Sequence, residues 1–169
     1  MKEKKVEYKV NDTANRLNEI IQAEIKRKTF NKRNNLSGKH SEKGGFDIYN
    51  TFSFVITEPN FGPFVKLNLR STNSNSNGTE SNLTLKRVNG TNFNFQFWFI
   101  LSFIVITLII SVYQILEKGF NENYDFLIMP IIGIIYFLII EFIAEMTIGN
   151  LIKRIEKILK TEQIEFKKL

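Results

Sequence analysis

The chain of 169 residues carries 23 Lys and Arg against 17 Asp and Glu, with no cysteine and a single histidine. That inventory excludes a disulfide framework, a thiolate nucleophile and a thiolate metal site, and leaves little for an imidazole base or a zinc cluster. It has room for one small folded unit and a few long helices.

The opening MKEKKVEYKV is charged and alternating, with no apolar core of a signal peptide, so a later apolar stretch is expected to direct membrane insertion. From Lys5 to Val10, Val6, Tyr8 and Val10 alternate with Lys5, Glu7 and Lys9, the period of a half-buried strand. Asn11, Asp12 and Thr13 offer helix caps, and Leu17, Ile20, Ile21 and Ile25 follow at helical spacing, which predicts a helix to about Lys28. Residues 29–45 are polar, with a short strand near Leu36 as an option. Phe46, Ile48, Phe52, Phe54 and Ile56 then share one face of an extended run, opposite Asp47, Tyr49, Thr51, Ser53 and Thr57. Two further alternations, Val65–Arg70 and Leu83–Val88, flank a Ser/Asn/Gly stretch and read as a hairpin. The expected fold class is α+β: residues 1–92 form β-α-β-β-β, an antiparallel sheet with one covering helix.

No charged residue occurs from Val88 to Leu116, and Phe97–Tyr113 alone rises about 25 Å as a helix, with Trp98 and Tyr113 near its ends. A second apolar run covers Phe126–Ile148, interrupted only by Glu141 and Glu145. These predict transmembrane helices over 93–116 and 126–148, joined by a short loop over 117–125. Gly149-Asn150 is expected to break or hinge the second helix. Residues 149–169 then form an amphipathic helix and tail, with Leu151, Ile152, Ile155, Ile158 and Leu159 as its stripe. Its basic face, Lys153, Arg154, Lys157 and Lys160, would lie on lipid headgroups, or else the stripe would dock on the sheet.

Residues 1–92 hold 16 Lys/Arg against 9 acids, the loop 117–125 one against three, and residues 146–169 six against three. By the positive-inside rule, both termini face the cytoplasm and the chain sits in the inner (cytoplasmic) membrane. The basic balance then suits an anionic leaflet without any need for nucleic acid.

Several short stretches resemble a group of bacterial membrane proteins of Bacteroidetes type with an N-terminal β-rich domain and two C-terminal spans. They are the Leu36-Ser37-Gly38 turn, Gly45–Ile48, Asn60–Val65 with Gly62-Pro63, Gly78-Thr79 and the FLIMPIIG opening at Phe126–Gly133. The resemblance implies the same topology and no particular activity. The chain departs from the group's arginine-rich central strand, with Tyr49-Asn50-Thr51 in its place.

Catalytic chemistry finds little footing. Ser37, His40, Ser41 and Asp47 lie close in sequence but in a polar stretch without a nucleophile elbow, and no phosphate-cradling glycine loop occurs. No cofactor and no metal are expected. The exceptions are Glu141 and Glu145, one turn apart within an apolar helix, where a carboxylate is costly and often functional. They could form a proton or cation site, or sit at the interface and pair with Lys153 or Arg154. The expected function is a non-enzymatic, membrane-anchored interaction protein, an accessory subunit or an immunity-type protein. Its partners are the bilayer and another membrane protein or further copies of itself. The alternative is an oligomeric ion or proton conductor using Glu141.

Overall fold

Strict alternation on five strands and helical periodicity on three segments build the structure. The computed structural model describes residues 5–26, 36–42, 44–50, 63–74, 79–119 and 124–169. Its strands are β1 (Lys5–Val10), β2 (Leu36–His40), β3 (Phe46–Asn50), β4 (Val65–Asn73), β5 (Ser81–Asn89) and β6 (Phe166–Lys168). Its helices are α1 (Ala14–Lys26), α2 (Thr91–Lys118) and α3 (Ile128–Thr161), with a single 3-10 turn, Tyr124–Leu127, leading into α3. The six strands form one antiparallel sheet in the order β2-β3-β4-β5-β1-β6.

Register fixes the two faces. Leu85 stands opposite Val6 and Leu69, Leu69 opposite Phe46, and Leu67 opposite Ile48, so these apolar side chains share a face. They are buried almost without exception. Lys86, Asn68 and Asp47 fall into line on the reverse face.

The expectation of a single covering helix is corrected. α1 packs on β2, β4 and β5, and the second half of α3 packs beside it on β3 and β4. Thr13 caps α1, its hydroxyl oxygen accepting from Arg16 N–H at 3.1 Å, and Asn73 accepts from Ala14 N–H at 3.2 Å. The optional strand near Leu36 forms, so Leu36-Ser37-Gly38 is strand, not turn. β6 is an addition: after Ile164, itself buried, the tail pairs with the free edge of β1. Of the long alternation from Phe46, the described part ends at Asn50. Thr51, Phe52, Ser53, Phe54, Ile56 and Thr57 lie outside the described residues.

The expected break at Gly149-Asn150 does not form, and α3 runs through it unbroken. Ile148, Leu151 and Ile155 are wholly buried on both sides of it, which offsets the roughly 1 kcal/mol that a helical glycine costs. The residues assigned to a separate tail helix are therefore the second half of α3. Their stripe, Leu151, Ile152, Ile155, Ile158 and Leu159, is covered by the sheet.

α2 and the first half of α3 pack against each other. A Cβ at Gly133 would come within 2.7 Å of Ile104 Cγ1, so glycine permits the close approach. Phe97 and Phe137 meet edge to face at 5.7 Å. Pro130 cannot donate to the carbonyl four residues before it, Phe126, and the Ser111 hydroxyl lies 2.7 Å from that oxygen. Gly90 turns β5 into α2, where a Cβ would overlap the Pro63 carbonyl.

Because Leu85 is fully buried, Leu85→Ala is expected to cost about 2–5 kcal/mol and to open the sheet to limited proteolysis in detergent. Thr84→Ala, on the other face, is expected to leave the digestion pattern unchanged.

Candidate functional site

The alternation Leu83, Leu85, Arg87 places a guanidinium on the apolar face of β5. Arg87 stands opposite Leu67, and its side chain is 4% exposed. A cation so placed requires a carboxylate and further acceptors, because desolvation costs several kcal/mol per ion. Glu141 supplies the carboxylate from the middle of α3. Nη1 donates to Oε1 at 2.7 Å and Nη2 to Oε2 at 2.8 Å, a two-pronged pair. Nε donates to Asn89 Oδ1 at 2.9 Å. The guanidinium also lies 5.1 Å from the centre of the Phe93 ring, which in turn meets Phe64 edge to face at 5.1 Å. Thus β5, α2, α3 and the residue before β4 converge on one ion pair, its guanidinium buried and its carboxylate half-buried.

Glu141 was expected either to act as a membrane proton or cation site or to pair with Lys153 or Arg154. Its partner is Arg87, and both carboxylate oxygens are engaged. Arg154 turns to the sheet, donating to Asn50 Oδ1 at 2.6 Å, and burial lowers its pKa. Glu145, one turn on from Glu141, is exposed. Lys153, Lys157 and Lys160 form an exposed ridge on the side of α3 away from the sheet.

A third polar contact fixes α3 to β1. The Tyr8 hydroxyl donates to Glu156 Oε1 at 2.6 Å, while its ring meets Phe166 of β6 edge to face at 5.7 Å. Burial pushes the Tyr8 pKa up, and the hydrogen bond to Glu156 and that carboxylate's charge push it further.

Ser37, His40, Ser41 and Asp47 are not assembled into a nucleophile, base and orienting acid. The Asn68 side-chain amide donates to Ser41 at 3.0 Å and to Asp47 at 2.8 Å. The His40 ring packs on Phe46 with centres 4.7 Å apart. Among the described residues no cluster of His, Asp or Glu could hold a metal ion.

Sequence reasoning missed Arg87, yet its signal was there. Strand parity put a cation inside, and Glu141, within an apolar helix, is the carboxylate that answers it. No family model, curated protein or solved structure matches the chain.

Glu141→Leu is expected to leave Arg87 buried without its counter-ion and to cost about 3 kcal/mol, read as a lower unfolding midpoint in detergent micelles. Pairing it with Arg87→Met is expected to recover most of the loss. A double variant no more stable than the single one would remove the ion pair as the cause.

Tyr8 gives a pH prediction of definite sign. Its folded pKa is raised, so its contribution is complete below the tyrosine value of about 10 and is lost as pH rises through the folded pKa. The contact between β1 and α3 is expected to weaken only in strong alkali, and Tyr8→Phe is expected to flatten that limb of the stability curve.

Proposed function

We propose that this chain is a non-enzymatic, membrane-anchored interaction protein. α2 and the first half of α3 cross the cytoplasmic membrane as a hairpin. The sheet, α1 and the second half of α3 stand on the cytoplasmic side, and both termini lie there too. The protein then serves as an accessory or regulatory subunit of a membrane complex. An immunity-type protein that blocks a membrane-active toxin is a special case of the same design.

One observation carries this. Two helices, Thr91–Glu117 and Asp125–Thr161, are long and apolar enough to cross a membrane, and they carry nearly all of the exposed large apolar side chains. On α2 those side chains run from Phe95 to Leu116, and on the other helix from Phe126 to Met146. At about 1.5 Å per residue, each stretch rises roughly 30 Å, the thickness of a bilayer's hydrocarbon core. A water-soluble chain does not leave such a belt uncovered. Trp98 and Tyr113 are both more than half exposed toward opposite ends of it. Sidedness rests on the basic flanks and the acidic loop.

Arg87 engages both oxygens of the Glu141 carboxylate, which favours an interaction protein over conduction through Glu141.

The chain lacks cysteine, so single substitutions report topology cleanly. Glu117→Cys is expected to react with a membrane-impermeant maleimide in intact cells, and Glu162→Cys only after lysis. The opposite pattern would overturn the cytoplasmic assignment of the sheet, and labelling of both in intact cells would overturn the hairpin.

A further inference from the structure

Both helices that cover the sheet lie on one face. Among the described residues no element packs on the other. Register places Lys5, Lys9, Lys39, Lys66, Arg70, Lys86 and Lys167 on that open face. Only Glu7 and Asp47 join them from the same strands. Glu7 pairs with Lys5 at 2.6 Å, Asp47 lies 3.8 Å from Lys66, and Glu80, just before β5, reaches Lys9 at 2.8 Å. Glu42 also lies beside the face, and the cations still outnumber these acids. Lys39, Lys66 and Lys86 border one cleft of about 250 Å³ on it, together with Glu42 and Asp47.

A helix seated on a sheet by a buried stripe lies with its axis along the sheet plane. α3 is seated in this way by Leu151, Ile155 and Leu159, and it is continuous with the segment that forms the apolar belt. With that segment across a bilayer, the sheet stands upright on the membrane and its open face looks sideways. Lipid headgroups then meet only an edge of the sheet. What can cover the face is a body standing beside it at the same height. So many cations call for a carboxylate-rich surface there. Nucleic acid is the poorer match, since among the described residues only Tyr49 offers a ring on this face and only Arg70 a guanidinium fork.

We propose that the open basic face of the sheet docks an acidic protein surface, the carboxylate-rich cytoplasmic flank of a neighbouring membrane protein. This names the class of partner for the anchored interaction protein proposed above, and it rests on that reading for the upright stance of the sheet.

The test uses the full chain in nanodiscs of phosphatidylcholine alone, with a fluorescent oligoglutamate peptide as probe. Binding is expected to weaken with added salt and to fall at least about tenfold in Lys66→Glu/Lys86→Glu. The milder Lys66→Gln/Lys86→Gln, checked for an unchanged melting temperature, is expected to show the same direction. Charge reversal of the α3 ridge, Lys153→Glu/Lys157→Glu/Lys160→Glu, is expected to change binding by less than about twofold. Equal losses from ridge and face would mean attraction to net charge alone and would overturn the proposal. So would tighter binding of a single-stranded RNA of equal charge, or selective capture by vesicles rich in phosphatidylglycerol that Lys66→Glu/Lys86→Glu abolishes. The intact-cell cysteine labelling given above separates the two readings. Localised peptide binding without membrane protection sinks the anchor and keeps the face, and protection with unlocalised binding does the reverse.

Discussion

The structure depends on a cation in the wrong place. Arg87 belongs to the apolar face of its strand by parity, and a guanidinium cannot stay there alone. Glu141 makes the position tenable, and in doing so it ties the middle of α3 to the end of β5. Phe93, in the first turn of α2, closes over the guanidinium. Helix pair and sheet are thereby joined at their junction by a geometry that tolerates little displacement. An apolar contact at that point would hold as well but would not dictate depth or rotation. The forked pair does, because both of its hydrogen bonds must align at once.

α3 lives in two surroundings. Its first half presents Phe126 to Met146 outward, where the large apolar side chains are exposed, while its second half buries Leu151, Ile155 and Leu159 against strands. No residue marks the change of environment by ending the helix. Arg154 to Asn50 and Tyr8 to Glu156 secure the second half from either side. The sheet is thus fastened directly to the helix that continues into the apolar belt.

Local periodicity made most of the elements legible. β1, α1, the β4–β5 hairpin and both long helices follow from spacing alone, because each buries one face and the burial selects the period. What escaped depended on distant partners. Phe166-Lys167-Lys168 has no strand pattern, and it becomes one only because β1 offers an open edge. Gly149-Asn150 carries a local stop signal that the flanking Ile148 and Leu151 override by packing. Glu141 was noticed as costly where it stands, yet its partner lies 54 residues earlier in the chain, beyond any local window. Arg87 looks like any other strand cation, and only its parity with Leu83 and Leu85 on β5 sets it apart.

β6 carries a consequence for the order of events during synthesis. The outer edge of β1 stays unpaired until residues 166–168 have been made, and those follow both long helices in the chain. The apolar face over β3 and β4 likewise waits for the second half of α3. Early strands therefore emerge with an open edge and a half-bare face, and they stay so while the most water-averse part of the chain is still being translated. Assembly closes from the C-terminal side backward, so a ribosome stalled anywhere before Phe166 leaves a sheet that is sticky on its edge.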